Sequence, residues 1–237
     1  MPTFRPDIAI VGGGLAGSSL AIALRRAGLD VHLIERSQAF RDRIRGEILH
    51  PWGVTFLRQL DLLDLAECAG GVLRQEYWQT VRNREVQPPT RWADHFPTAP
   101  FGLGFNHVEL QNAFLAEAER LGTSVWRPAE VSFGRHTSGR PSLAVSSAEG
   151  VFNIEPQLVV GADGERSATR AWLGGTQHDD PPHHALGGVL VEGLGLASDR
   201  VHQAFFEGGF VFVSPQSHDR ARVYLVVSQE RADELQR

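Results

Sequence analysis

The sequence predicts an α/β fold in which a helix-and-strand module is interleaved with a β-rich one. Three observations predict it. The chain opens with an apolar strand, a glycine-rich turn, an amphipathic helix and a second strand. From Ser124 onward the helical spacing gives way to short strands separated by turn residues. A second apolar strand, Leu158–Val160, then runs into another glycine turn and a short helix, so the chain revisits the first pattern before ending in more strands.

Composition bounds what the chain can do. With 237 residues, 42% of them hydrophobic, and 25 glycines, it is globular and long enough to bury a sizeable core. Disordered, collagen-like and disulfide-scaffold classes are excluded. The net charge of −5 argues against a general nucleic-acid-binding surface. All 23 basic residues are arginine, as a coding bias would give, so no Schiff-base or P-loop lysine operates here. The single Cys68 forms no intrachain disulfide and no C-x-x-C occurs, which fits a reducing, cytoplasmic setting. No apolar run approaches the ~18 residues of a membrane span, and no signal-type leader precedes Ile8.

The elements follow in order. Asp7–Val11 is short, apolar and β-branched. Leu15–Ala27 sets Leu20, Ala21, Leu24 and Ala27 on one helical face, and Gly28 closes it. Asp30–Glu35, with Val31, Leu33 and Ile34, completes a βαβ opening. Pro51 starts a helix to Leu60, which Leu62–Ala69 continues until Gly70-Gly71. Tyr77–Val81 and Glu85–Gln87 flank Arg82-Asn83-Arg84 as a hairpin. Pro88, Pro89, Pro97 and Pro100 mark a loop after it. Val108–Leu121 is an amphipathic helix ended by Gly122. Short strands are expected at Val125–Arg127, Val131–Arg135, Leu143–Ser146, Val151–Ile154 and Leu158–Val160, then a short helix at Ser167–Leu173. Beyond the loop Asp179–His184, strands are expected at Leu186–Val191, His202–Phe206, Phe210–Val213 and Val223–Val227. Ser228–Arg237 opens a last helix.

The segment Gly12-Gly13-Gly14-Leu15-Ala16-Gly17 satisfies G-x-G-x-x-G in the context that gives the pattern meaning, after a strand and at the start of a helix. Gly12 permits the sharp turn, Gly14 a close approach of backbone to a pyrophosphate, and Gly17 tight packing of helix on strand. The helix N-terminus offers that anion unpaired N–H groups and partial positive charge. Glu35, with Arg36 beside it, ends the second strand at the offset where an acid accepts hydrogen bonds from a ribose diol. A Rossmann-like dinucleotide site follows, and the motif alone leaves NAD and FAD both open.

Leu158-Val159-Val160-Gly161-Ala162-Asp163-Gly164 continues through Ser167 to Arg170 as an apolar strand followed by G-A-D-G-x-x-S-x-x-R. This resembles the second fingerprint of flavin-dependent monooxygenases of the p-hydroxybenzoate hydroxylase type, in which the acid, here Asp163, lies near the cofactor pyrophosphate. The spacing suggests that Arg170 pairs with Asp163. Arg45-Gly46-Glu47 through Pro51 resembles that family's R-G-E…P segment, which implies a flavin contact for Arg45. His107-Val108-Glu109-Leu110 resembles its R-x-x-L, with His107 in place of the arginine, so a permanent cation there becomes pH-dependent. Ser124–Phe133 resembles the strand pair whose backbone meets adenine, near Val131.

The resemblance implies an FAD-binding domain (1–75 and 101–175) interleaved with a β-sheet substrate domain (76–100 and 176–237). It implies FAD as cofactor, NADPH or NADH as co-substrate, and O2 with a small apolar or aromatic organic molecule as reactants. Hydroxylation or epoxidation would proceed through a flavin hydroperoxide. No catalytic side chain is named, because the cofactor does the chemistry. An FAD-dependent reductase or dehydrogenase of the same fold, or a non-catalytic FAD-binding fragment, are the alternatives. The family's G-D dipeptide is absent, and chain order places it after Val227, so a missing C-terminal segment or a companion chain is expected to supply it. Asp179, Asp180, His183 and His184 read as a solvated loop and not a metal site. Trp78, Trp92 and Phe96 read as core.

Overall fold

The computed structural model describes residues 1–81, 84–134, 139–216 and 219–235. The expected turn at Arg82-Asn83, the strand end at Arg135 and the last two residues, Gln236 and Arg237, lie outside them. The chain divides into two compact units, Met1–Arg41 with Gln111–His178, and Asp42–Leu110 with Asp179–Arg237. Residues 42–75 and 101–110, grouped with the cofactor domain on sequence, thus cluster with the antiparallel sheet.

The first unit holds a parallel sheet in the order Leu158–Gly161, Ile8–Val11, Val31–Ile34, Ser124–Trp126. All four residues of each central strand are buried, which is why neither strand alternates in sequence. Helix Leu15–Arg26 connects these two strands and ends at Gly28, whose φ of 83° only glycine adopts without strain. A second sheet orders Thr3–Phe4, Gly150–Ile154, Leu143–Ser147 and Ala129–Phe133. Ala9 and Ile34 of the first sheet share a core with Ala129, Leu143, Val145, Phe152 and Ile154 of the second. Each large side chain sealed there contributes roughly 1.5–3 kcal/mol.

The second unit is built on a six-stranded sheet, ordered His184–Glu192, Arg220–Ser228, Gly209–Pro215, Arg200–Phe206, Glu76–Val81 and Arg84–Arg91. Only the pairing of Arg200–Phe206 with Glu76–Val81 is parallel. The expected loop at Pro88 and Pro89 is instead strand through Arg91. Proline is tolerated there because the strand is the sheet's edge and its register shifts opposite Tyr77 to Gln79. A small sheet of Ile48–Leu49, Gly102–Gly104 and Val72–Arg74 was not anticipated. The expected continuous helix from Pro51 is two, Pro51–Gln59 and Leu63–Cys68, broken where Asp61 takes φ 52°. The division between Leu110 and Gln111 falls inside helix His107–Arg120. Phe96, expected in the core, is exposed and meets Trp52 and Trp92 in an aromatic cluster.

Candidate functional site

In the first unit the two glycine turns lock into each other. Ala162 N–H donates to the Val11 carbonyl at 2.7 Å. Gly12 sits at φ 107°, and a Cβ there would stand 2.3 Å from the Ala162 carbonyl oxygen. A Cβ on Gly17 would stand 1.9 Å from the Gly12 carbonyl oxygen. Neither position accepts a side chain unless the backbone moves.

Gly14 differs. Among the described residues, the only atom within 4 Å of a Cβ placed on it is Gln111 Nε2, at 3.8 Å. It is the N-cap of helix Leu15–Arg26, no side chain among the described residues caps that end, and no acidic residue occupies the first turn. The first intrahelical bond runs from Ser18 N–H to the Gly14 carbonyl at 2.9 Å, downstream of the Leu15, Ala16 and Gly17 amides. Leu15 is half-buried and Ala16 exposed at this end. Open space beside uncapped amides fits a pyrophosphate.

Glu35 is buried at the end of Val31–Ile34. Its Oε2 accepts from Gly13 N–H and its Oε1 from Ser37 N–H, each at 2.7 Å. Each carboxylate oxygen keeps a further lone pair for a ribose hydroxyl. The acid therefore shapes the glycine turn as well as marking its far side, a role its position in sequence does not reveal. Arg36 is exposed beside it. Val131 pairs with Val145 on the edge strand of the second sheet, and its side chain packs on the core.

Asp163 follows the second turn. Burial works against its charge, but Ser167 Oγ–H at 2.6 Å and Thr169 N–H at 3.0 Å hold its carboxyl below the usual aspartate value. Ser167 also caps helix Ala168–Trp172 by accepting from Arg170 N–H. The expected Arg170–Asp163 pair does not form. Ser167 and Thr169 already serve the carboxylate, and the Arg170 guanidinium turns away to the Glu165 carbonyl and Gln177 Oε1.

Arg45 and His107 meet in the second unit, with Arg45 Nη1 3.4 Å from His107 Nε2. Burial, reinforced by the Arg45 charge, holds the imidazole below the ordinary histidine value against the pull of Glu47 and Asp42. Of the two, Arg45 carries the permanent charge, and the His107 imidazole is held toward its neutral form.

Beneath Arg45 lies a buried network that motif reading missed. Glu47 is fully buried and Arg222 nearly so. Arg222 Nε donates to Glu47 Oε2 at 2.9 Å, and Arg222 Nη2 to Asp42 Oδ1 at 2.6 Å. Tyr224 Oη lies 2.6 Å from Glu47 Oε2 and 3.0 Å from the Arg45 carbonyl oxygen. The paired acids raise the Arg222 guanidinium, while burial and Glu47 drive the Tyr224 hydroxyl far above the tyrosine range. The available sequence signal was an arginine, Arg222, inside the otherwise apolar stretch Ala221–Val227.

Known proteins resemble this chain in sequence and in fold. The family described as FAD binding domain matches residues 5–236. The 3-amino-4-hydroxybenzoate 2-monooxygenase PtnB3 of Streptomyces platensis is 31% identical over 226 residues, 91% of this chain and 52% of that protein. The chain thus spans about half the length of the curated relatives it first matches. PqsL of Pseudomonas aeruginosa, described as a probable FAD-dependent monooxygenase, superposes with TM-score 0.81 at 22% identity, covering 98% of this chain and 63% of its own. The p-nitrophenol 4-monooxygenase PnpA of Pseudomonas putida DLL-E4 gives 0.81 at 19% identity, over 99% and 61%. At these identities the structures speak for the fold, a mixed α/β architecture shared with flavin monooxygenases.

Proposed function

Because the chain belongs to the FAD binding domain family, we propose that it forms the cofactor-binding and substrate-sheet portion of an FAD-dependent monooxygenase. The observation that carries this reading is the interlock of Gly12 and Gly17 with Ala162, which leaves Gly14 and the uncapped helix end open beside Glu35. In it the Gly14, Leu15, Ala16 and Gly17 backbone receives the pyrophosphate, Glu35 the ribose diol, and Arg36 the flanking adenosine. Asp163, held ionised by Ser167 and Thr169, orders the second turn against the pyrophosphate, and the Val131 backbone borders adenine. Arg45, with His107 held toward its neutral form, presents its guanidinium to the flavin end. When bound, the flavin supplies the redox chemistry, drawing electrons from NADPH or NADH and activating O2. The organic substrate is small and apolar or aromatic, and the setting cytoplasmic. No helix among the described residues is long and apolar enough to cross a membrane.

The test is a flavin titration of the purified chain. Every contact assigned in the first unit addresses the ADP half, so FAD should quench on binding while FMN, which lacks that half, binds at least about a hundredfold more weakly. Equal binding of the two flavins, or uptake of neither, refutes the assignment.

A further inference from the structure

Arg45 is exposed, yet the segment that carries it is anchored from below at three points. Asp42, three residues before it, takes Arg222 Nη2 at 2.6 Å. Its own carbonyl lies 3.0 Å from Tyr224 Oη. Glu47, two residues after it, takes Arg222 Nε, Arg222 Nη2 and Tyr224 Oη, at 2.9, 3.3 and 2.6 Å. Both anchoring side chains stand on one face of strand Arg220–Ser228, two residues apart. Tyr224 is itself fixed by stacking on Phe212, with ring centroids 4.3 Å apart and planes 4° apart.

Sealing the Glu47 and Arg222 charges costs more than a packed apolar patch would, so stability alone gives no reason for the arrangement. What it does specify is the path of backbone 42–47, and hence where the Arg45 side chain leaves it. We infer that Arg222 and Tyr224 are positioning residues that fix the course of the Arg45 segment, acting through Asp42, Glu47 and the Arg45 carbonyl, and that the contribution of Arg45 to FAD binding depends on them. The inference rests on the FAD reading above. Both side chains act from within the network beneath the segment. Removing the Tyr224 hydroxyl takes away the single proton it shares between Glu47 Oε2 and the Arg45 carbonyl, while the ring stays stacked on Phe212.

The experiment is a double-mutant cycle on FAD affinity in the full chain, with Arg45→Ala, Tyr224→Phe and the pair. Each single change raises Kd about tenfold, and the double change raises it no further, because Tyr224 acts only through Arg45. A role of Tyr224 confined to folding gives independent effects that multiply to about a hundredfold, and that result overturns the inference, as does wild-type affinity in Tyr224→Phe. If the unmodified chain takes up no FAD, the FAD reading and this inference fall together, an outcome distinct from additivity with FAD bound. Trypsin supplies a readout independent of flavin, since with no lysine it cuts this chain only after arginine. Cleavage at Arg45-Gly46 accelerates about tenfold in Tyr224→Phe and by less in Arg222→Lys, which keeps the charge but loses the fork. Unchanged cleavage in both variants overturns the anchoring.

Discussion

Gly14 and Gly17 lie three residues apart in one turn, and the same substitution at each has opposite consequences. Gly17→Ala places a Cβ 1.9 Å from the Gly12 carbonyl oxygen. Real contacts of this kind stay beyond 3.0 Å, so about 1.1 Å of overlap must be relieved. The obstacle is backbone, already held by the Gly12 N–H bond to Ile34 at 2.8 Å, so no side-chain rotation relieves it. Alanine would otherwise favour a helix by about 1 kcal/mol over glycine, and the overlap reverses that sign. A net loss of about 2–3 kcal/mol is expected, a fall of roughly 5–10 °C in melting temperature for a chain of this size. Gly14→Ala meets only Gln111 Nε2 at 3.8 Å, from a φ of −67° that alanine adopts freely. Its stability cost stays under about 1 kcal/mol, an N-cap preference only, but FAD affinity falls at least about tenfold because the methyl group occupies the space left for the pyrophosphate. Thermal melts and FAD titrations of both variants decide the matter. A Gly17→Ala chain that melts like the parent, or a Gly14→Ala chain that binds FAD like the parent, refutes the division of labour.

Three other perturbations test separate parts of the structure. Gly104→Ala drives a Cβ to 1.8 Å from Nη2 of the fully buried Arg74, whose guanidinium burial has already depressed to about 10, and urea melts should show a loss of about 2–3 kcal/mol. Asp163→Asn keeps one acceptor oxygen for the two donors Ser167 Oγ–H and Thr169 N–H, costing about 1–2 kcal/mol by the same measurement. Acidification from pH 7.5 to 5.5 should lower the urea midpoint. Burial depresses His32 and His107 below the ordinary 6.5, so the unfolded chain takes up protons first and stability drops as pH falls through that value. His32→Gln and His107→Gln should each flatten the profile, and a profile equally steep in both contradicts the assignment.

The βαβ opening was legible because three independent signals coincide there: an apolar strand, a glycine turn and helical spacing from Leu20 to Ala27. The second turn was legible for the same reason. What sequence could not give was the direction of side chains across chain distance. Arg170 stands seven residues from Asp163 and invites a pair, but Ser167 lies nearer in space and its hydroxyl wins the carboxylate. Pro88 and Pro89 argue for a loop until the strand's place at the sheet edge is known. The Glu47–Arg222 pair spans 175 residues, and no local pattern encodes it.

The absence of lysine gains meaning at particular sites. A neutral coding bias explains exposed positions such as Arg36, Arg41 and Arg43, where an ammonium would serve as well. It does not explain Arg222, whose Nε and Nη2 reach two different acids, nor Arg25, whose Nε and Nη1 donate to the carbonyls of Leu121 and Leu29 at 3.1 and 2.8 Å. Arg127 likewise stacks 4.1 Å from the Phe40 ring centroid while its Nε holds the Ser37 carbonyl at 2.7 Å. Arg222 and Arg25 each use two guanidinium nitrogens held in one rigid plane, and Arg127 lays that plane on a ring, a geometry the compact lysine ammonium lacks. Bias in composition thus supplied the residue, and at these positions the fold came to depend on its geometry. Lysine substitution should therefore be neutral at Arg41 and Arg43 and destabilising at Arg25, Arg127 and Arg222, whereas uniform tolerance across all five would mean that charge alone matters.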